Sequence, residues 1–262
     1  MLARTLPTFG SRRSLHVLER NALVYRSQWL MLLSGFFEPL FYLLSIGIGL
    51  NHLVGDLHVH GRLVSYATFV APGMLATSAM NGAMIDSIFN TFFKLKISHT
   101  YDALLTTPLE VTDVALGEVW WALARGAIYA ASFIVCMVLL GDSGSVWVVL
   151  CWPGAVLTSF AFSCAGLAAC TYIRSWQDFD LVALVQLPLF LFSATFFPIT
   201  LYPRWIGAIV SFSPLYQSAT LLRGLALGQF DWMMIVRSGY LVLLALIGLR
   251  IATKRFRKIL TP

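Results

Sequence analysis

Six long apolar stretches divide this chain, and its charged residues lie almost entirely between them. The clearest stretch, 29–50, reads WLMLLSGFFEPLFYLLSIGIGL and contains a single acidic residue. A helix of this length crosses the roughly 30 Å hydrocarbon core of a bilayer, which a helix in a soluble core does not need to do. The pattern predicts an all-α polytopic membrane protein with six transmembrane helices. The other five stretches are 64–85, 119–140, 146–172, 181–202 and 234–252.

The composition agrees with a membrane protein. The mean hydropathy is +0.79, and charged residues make up 11% of the chain, against roughly 25% in soluble domains. Six spans and their loops fill the 262 residues, so we expect one transmembrane domain over 1–262. The first 28 residues are polar and arginine-rich, and we expect no cleavable signal peptide there.

The basic residues predict the orientation of the chain in the membrane. If both termini are cytoplasmic, thirteen of the 18 lysines and arginines lie inside, and Arg125 falls within a span. This is the positive-inside bias, which favours a multi-pass protein of the plasma (inner) membrane. The net charge of +6 is then explained by topology and by contacts with anionic membrane lipids, and nucleic acid is not expected as a partner. The four basic residues outside are Arg62, Arg204, Arg223 and Arg237.

Metal-binding and catalytic motifs do not emerge from the sequence. The three histidines of the external loop 51–63 are accompanied by one acid and no cysteine, so a solvated loop is favoured over a metal site. The chain has no P-loop, no H-E-x-x-H and no G-x-S-x-G, so we predict no catalytic residues and no cofactor bound by this chain. The four cysteines lack metal-ligand spacing and are expected to pack: Cys136, Cys151, Cys164 and Cys170.

Residues 9–28 precede the first span and combine arginines with apolar residues at helical spacing. We interpret them as an amphipathic helix lying in the cytoplasmic membrane interface. A basic, partly disordered tail is the alternative. The apolar stripe would consist of Leu15, Leu18, Ala22, Tyr25 and Trp29, interrupted by Val17, Leu23 and Val24.

The longest internal loop, 91–118, has a mixed character. Tyr101, Leu104 and Leu105 form an apolar edge at helical spacing, which the residues Thr106 to Pro108 end. A short amphipathic helix on the cytoplasmic side is best explained by a protein partner that docks there. The alternative is a helix that rests on the membrane surface.

The region after the fifth span is interrupted by prolines. Pro198, Pro203 and Pro214 separate two apolar pieces, 205–213 and 215–227, each shorter than a membrane span. Segments of this length are typical of re-entrant or interfacial helices. We therefore predict two short re-entrant helices on the external side, between spans five and six.

The predicted spans contain, among other polar residues, Glu38, Asn81 and Arg125. A carboxylate in the membrane costs on the order of 2.5–3.5 kcal/mol on the insertion scale, so such a residue suggests a function. Glu38 could pair with Arg125 inside the bundle, contact a polar group of a substrate, or carry a proton. The sequence leaves these three possibilities open.

The order and spacing of several segments resemble the permease subunits of type-2 ABC exporters, in the NodJ and daunorubicin-permease-like branch. The resemblance covers nearly the whole chain. The segments are LERNALVYRSQW (18–29), GFFEPLFYLLSIGIGL (35–50), YATFVAPGMLATSAMNGA (66–83), FKLKISHTYDALLTTPLEVTDVALGE (93–118), FSATFFPITLYPRW (192–205) and SPLYQSATLLRGLALG (213–228).

This resemblance implies six spans, an interfacial N-terminal helix, a coupling helix between spans two and three, and two short external helices. It also implies two permeases, identical or homologous, on separate P-loop subunits that bind ATP and Mg. Family members carry lipid-linked glycans, hydrophobic drugs and similar amphiphiles. The residues expected to press into the ATPase are Tyr101, Asp102, Leu104, Leu105, Thr106, Thr107 and Pro108.

Three functions are compatible with these features. The favoured one is the membrane subunit of an ATP-driven exporter of an amphipathic or hydrophobic substrate. The second is a self-contained proton- or ion-coupled carrier that uses Glu38 and Arg125. The third is a membrane scaffold without a transported substrate.

Overall fold

The structure, a computed structural model, describes residues 12–26, 41, 43–45, 49, 54–59, 62–141 and 145–260. Predicted span one and Glu38 lie largely or wholly outside these residues. Helices dominate the described part of the chain, as the sequence predicts. They are α1 (Arg12–Arg26), α2 (Tyr66–Ile85), α3 (Thr100–Leu105), α4 (Val111–Leu139), α5 (Cys151–Cys170), α6 (Phe179–Leu191), α7 (Arg204–Ser211), α8 (Pro214–Ala226) and α9 (Met233–Leu260).

Three helical segments of the described chain are long and apolar enough to cross a membrane: Val111–Leu139, Val146–Cys170 and Met233–Leu260. The second consists of a 3₁₀ turn, Val146–Leu150, that continues into α5. They correspond to predicted spans three, four and six. The first begins well before residue 119 and the last continues well past residue 252, because both helices extend beyond their apolar centres.

The helical structure that contains predicted span two continues beyond the apolar stretch 64–85. After α2 the chain continues through two π-helical turns, Asp86–Asn90 and Phe93–Ile97. Helix α2 itself ends at Ile85, the last residue of predicted span two, and helical turns continue beyond it. The apolar pattern stops at Asp86, whereas the helical structure continues because Asp86, Asn90 and Lys94 have polar partners on neighbouring helices.

A small two-stranded β-hairpin precedes α2 in this mostly helical chain. Strands β1 (Asp56–Val59) and β2 (Arg62–Ser65) pair in an antiparallel arrangement, with Asp56 opposite Ser65. Ser65 then caps α2, since its hydroxyl accepts a hydrogen bond from the Thr68 amide at 3.2 Å. The loop predicted from 51–63 is thus partly a hairpin that leads directly into the helix.

The prediction of one span over 181–202 is not supported by the described structure, because α6 ends at Leu191. Beyond it Ala194 has a positive φ of 52°, and a 3₁₀ turn occupies Ile199–Leu201. Hydropathy missed this ending because the chain stays apolar through FFPITLY. The two short helices that follow, α7 and α8, agree with the pieces predicted at 205–213 and 215–227.

Helix α5 lies at the centre of the described bundle, where it contacts α2, α4 and α9. Glycines allow these close approaches. A Cβ on Gly248 of α9 would lie 2.8 Å from the carbonyl carbon of Cys164 in α5, and one on Gly126 of α4 would lie 2.2 Å from Ser159 Oγ. Backbone-to-backbone packing of this kind stabilises helix pairs in membranes, where no hydrophobic effect separates protein from lipid.

Candidate functional site

One end of the bundle brings together α1, α3, the π-helical turns and the first residues of α4. The segment α3 begins after His99, which has a left-handed φ of 47° and whose Nδ1 lies 3.0 Å from Asp102 Oδ2. Tyr101 is fully buried beneath α3 and makes an edge-on ring contact with Phe256 of α9 at 5.9 Å. The segment is therefore attached to the end of α9 by an aromatic pair.

Helix α1 and the turn after α3 form one surface. Arg13 Nη1 donates a hydrogen bond to the carbonyl oxygen of Pro108 at 3.2 Å. Between the two elements lies a groove of about 390 Å³, whose lining includes His16, Leu104 and Thr107. A groove between two helices on a solvent-facing end is suited to receive the side chains of a partner protein.

The packing of α1 differs from the predicted stripe. Its buried face consists of Ser14, Val17 and Asn21, whereas Leu15 and Ala22 are exposed. The amphipathic pattern missed this face because Ser14 and Asn21 are polar, and Asn21 is buried through hydrogen bonds with Lys94 and Glu118. A Cβ on Gly117 of α4 would lie 2.5 Å from Val17 Cβ, so the glycine permits this close contact.

A buried ion pair connects the second π-helical turn to α4. Lys94 Nζ donates to Glu118 Oε1 at 2.9 Å and to Oε2 at 2.8 Å, and also to Asn21 Oδ1 at 3.1 Å. Asn21 Nδ2 in turn donates to Glu118 Oε2 at 3.2 Å. Three separate elements are joined by this one cluster, which leaves the buried charges paired and hydrogen-bonded.

A second buried ion pair joins Arg125 of α4 to Asp86, which directly follows α2. Arg125 Nη1 donates to Asp86 Oδ1, and Arg125 Nη2 donates to Tyr129 Oη at 2.9 Å. Asn90 Nδ2 donates to the Tyr25 hydroxyl and, at 2.9 Å, to Asp86 Oδ1. Burial and the nearby Asp86 carboxylate raise the pKa of Tyr25 to about 12, so this phenol stays protonated at physiological pH.

The predicted intramembrane residues have different surroundings. Arg125 is paired with Asp86, while Glu38 lies outside the described residues, so its own role stays a prediction. Asn81 Oδ1 accepts a hydrogen bond from Gln186 Nε2 at 2.7 Å, which links α2 to α6. Neither the Asp86 nor the Gln186 partner was identified from the sequence.

The residues predicted to contact an ATPase divide into two groups. Tyr101 is fully buried and Leu104 and Leu105 are half-buried against the second apolar cluster of the bundle, so these three support α3 from within. The exposed group is Asp102, Thr106, Thr107 and Pro108. The exposed side of α3 is therefore polar, while the half-buried Leu104 also lines the groove beside α1.

The two buried ion pairs were not recognised from the sequence, although a spacing signal was present. Asp86, Asn90 and Lys94 recur every four residues along the continuation of α2, and Asn21 and Tyr25 do so on α1. Residues with this spacing lie on one side of a helix. Polar residues at such spacing next to an apolar span indicate a buried polar seam.

The fold defines a helical membrane protein with a grooved surface at one end of its bundle. Residues 14–227 match the ABC-2 type transporter family. The chain belongs to this family, whose members are membrane transport subunits that work with an ATP-binding subunit.

The relatives place the chain within the family. It is 33% identical over 222 residues to nodulation protein J of Rhizobium leguminosarum bv. trifolii, covering 84% of this chain and 83% of the relative. It is 29% identical over 248 residues to nodulation protein J of Rhizobium meliloti strain 1021, covering 94% and 93%. The inner membrane transport permease YadH of Escherichia coli K12 is 26% identical over 204 residues, covering 77% of each. The chain is thus a membrane permease of the nodulation protein J branch of ABC exporters.

Proposed function

We propose that this permease moves an amphipathic or hydrophobic substrate, such as a drug, a lipid or a lipid-linked glycan, out of the cytoplasm. The energy would come from ATP hydrolysed with Mg on a separate P-loop subunit. The observation that carries the proposal is the single grooved surface formed by α1 and the turn after α3. Family membership supplies the expectation of an ATP-binding partner for that surface.

The exposed side of α3 would receive the ATPase. Asp102, Thr106 and Thr107 offer one carboxylate and two hydroxyls, and Pro108 ends the segment. The hydroxyls of Thr106 and Thr107 donate to the carbonyl oxygens of Ala103 and Leu104, which fixes the turn. Because the buried Tyr101 supports the segment from below, a partner that presses on α3 also presses on α9.

The buried ion pairs would carry movement from the docking surface into the bundle. Lys94 and Glu118 join the continuation of α2 to α4, and Asn21 attaches α1 to both. Closure of two ATPase subunits would then displace α1, α3, α2 and α4 together rather than separately. ATP would thereby shift the population between two arrangements of the permease.

A second permease would complete the pathway, either an identical copy or a homologue. Helix α6 supports this because it exposes a row of leucines, among them Leu181, Leu184 and Leu187. Part of this apolar surface would contact the second permease and the remainder would contact membrane lipids. The predicted span 29–50 would contribute to the same membrane-embedded region.

The proposed orientation places α1, α3 and the basic end of α9 in the cytoplasm, with both termini on that side. Helices α7 and α8 would then be re-entrant from the outside, and the chain would cross the membrane six times. The inner membrane is supported by the name of the relative from Escherichia coli, an inner membrane transport permease. A carrier driven by protons through Glu38 and Arg125 is less well supported, because Arg125 is already paired with Asp86.

Site-specific photo-crosslinking in native membranes tests the proposal. A photoreactive residue at the exposed Thr107 should capture a P-loop ATPase, identified by mass spectrometry. The matched control is Leu243, which is 56% exposed on the apolar side of α9 and should capture lipid or a permease instead.

Two outcomes are decisive. An ATPase cross-linked from Thr107 and not from Leu243 supports the exporter. If the purified chain alone transports substrate in proteoliposomes under a proton gradient, and Glu38→Gln abolishes that transport, the carrier is correct and the proposal is wrong.

A further inference from the structure

A cavity with both polar and apolar lining residues lies at the end of the bundle opposite to α1 and α3. It has a volume of about 760 Å³ and lies among the first turn of α2, helix α8 and the first turns of α9. This size exceeds that of a few ordered waters and suits a small polar group with part of an apolar chain. The polar residues of its lining include Tyr216, Thr220, Arg223, Gln229, Asp231 and Arg237.

Arg223 is the most constrained side chain of the lining. It is 8% exposed, and its guanidinium carbon lies 3.8 Å from the centre of the Phe69 ring. Nε donates to the carbonyl oxygen of Phe69 at 3.0 Å, and Nη2 donates to those of Ala194 at 3.1 Å and Thr195 at 3.4 Å. Nη1 has no hydrogen-bond acceptor within the described part of the chain. The cation is thus held in place with one donor group left over.

The charge of Arg223 is not balanced by a carboxylate. No ion pair among the described residues includes Arg223 or Arg237, although both line the cavity. Asp231 is the one acid of the lining, which leaves a net charge of +1 from these three side chains. Carbonyl dipoles satisfy donors but do not neutralise charge, so a buried cation in this setting favours an anion from outside the chain.

We propose that this cavity binds a phosphate-bearing group, with Arg223 and Arg237 as its cationic contacts. A phosphate has several acceptor oxygens and pairs well with planar guanidinium groups. The hydroxyl of Tyr216 and the amide of Gln229 also line the cavity, and no partner among the described residues occupies them, so they can serve further oxygens. Phe69 and Met234 supply apolar walls against which the carbon atoms next to a lipid phosphate can pack.

This inference rests on the cavity alone and is tested without an ATPase or a transported substrate. Native mass spectrometry of the full chain in detergent would compare phosphatidic acid with phosphatidylcholine of identical acyl chains. We expect phosphatidic acid to bind at least about tenfold more tightly, because its headgroup carries net negative charge without a neutralising cation. Competition with inorganic phosphate identifies the source of the group: displacement at millimolar concentration indicates free phosphate, and resistance indicates a lipid headgroup.

Charge-matched variants locate the binding. Arg237→Gln should weaken binding of phosphatidic acid by roughly tenfold, and Asp231→Asn should strengthen it severalfold. The control is Arg204→Gln, which removes the same charge from an exposed residue of α7 that does not line the cavity. Arg223→Lys, which keeps the charge but loses the planar fork, should also weaken binding.

The proposal is overturned by either of two results. One is equal binding of phosphatidic acid and phosphatidylcholine. The other is an Arg237→Gln variant that binds phosphatidic acid as the Arg204→Gln control does. Arg237 and Asp231 make no ion pair in the described structure, so the Arg237→Gln and Asp231→Asn variants are expected to fold. The test therefore does not depend on a substitution of the buried Arg223.

Discussion

Two arginines, Arg125 and Arg223, are buried to the same degree at opposite ends of the bundle. Each is 8% exposed and each lies near an aromatic ring. Arg125 is paired with the carboxylate of Asp86 and is surrounded by the side chains of Tyr25 and Tyr129. Arg223 is held by backbone carbonyl oxygens of the chain around Phe69 and after α6.

The difference in partners separates an arginine that joins helices within the protein from an arginine that can bind a ligand. A guanidinium with its own carboxylate is neutralised within the protein, so its burial joins helices and needs no ligand. A guanidinium bound only by carbonyls is fixed in position but keeps its charge. The first arrangement occurs where α1 and α3 are attached to the bundle, and the second occurs at a cavity.

Removing the counterion at the first end should have the largest effect. Asp86→Ala leaves Arg125 as an unpaired buried cation, and we expect a loss of about 3–5 kcal/mol of stability. The measurement is the thermal midpoint of the chain in detergent, followed by size-exclusion chromatography. Asp180→Ala, which removes an exposed carboxylate from α6, should leave the midpoint nearly unchanged.

The double variant Asp86→Leu with Arg125→Met sharpens this result. If the cost arises from an unpaired charge, removing both partners should restore part of the lost stability. A double variant that is no more stable than Asp86→Ala alone would contradict the explanation by charge balance.

At the second end the substitution Arg223→Lys should cost less, about 1–3 kcal/mol. Lysine keeps the charge but cannot reach the carbonyl oxygens of Phe69 and Ala194 with one planar group. The same thermal assay applies. A loss as large as that of Asp86→Ala would contradict the distinction between the two arginines.

The hydrogen bond between Asn81 and Gln186, which lies between the two ends of the bundle, should contribute little to stability. Asn81→Leu removes the hydrogen bond to Gln186, and interhelical hydrogen bonds in membranes average about 0.6 kcal/mol. Gln186→Leu should give the same small change, and the double variant should cost little more than either single one. Additive effects would show that the two side chains do not act as a pair.

The smallest effect on stability is expected on the outer side of α3. Asp102→Arg should change stability by less than about 0.5 kcal/mol, because the side chain is exposed. If α3 docks on an ATPase, the reversed charge should still lower ATP-dependent transport by roughly tenfold, equivalent to about 1.4 kcal/mol. Asp180→Arg is the matched control, and equal transport in the two variants would remove Asp102 from the docking surface.

The sequence predicted helices best where strong breakers end them. Thr106 to Pro108 end α3, Pro203 immediately precedes α7, and Pro214 is the first residue of α8, so these three segments are where the sequence predicted them. Predicted span five, 181–202, extends beyond the end of α6 at Leu191, because the residues that follow are as apolar as those before it. Hydropathy records transfer from water and does not record where a backbone turns.

Much of the site could not be predicted, because its partners meet only in the folded chain. Asp86 and Arg125 are 39 residues apart in sequence, and either could have been paired with another charge. The buried face of α1 was also missed, since Ser14 and Asn21 look like solvent-facing residues until Lys94 and Glu118 are brought beside Asn21. The position of these residues along the chain predicts the end of the bundle at which they lie. Which of them form pairs is determined by tertiary packing, which the sequence does not show.

Helix α9 has a geometric consequence for the distance over which the two ends communicate. Its 28 residues form a helix about 42 Å long at the usual rise per residue. Phe256 near one tip touches Tyr101 under α3, while Met234 and Arg237 near the other tip form part of the cavity wall. Phe256 and Met233 are 23 residues apart, or about 35 Å, so a tilt of one degree about Phe256 moves the Met233 end of the helix by about 0.6 Å. A rotation of α9 by a few degrees about Phe256 therefore changes the width of the cavity by about the diameter of an atom.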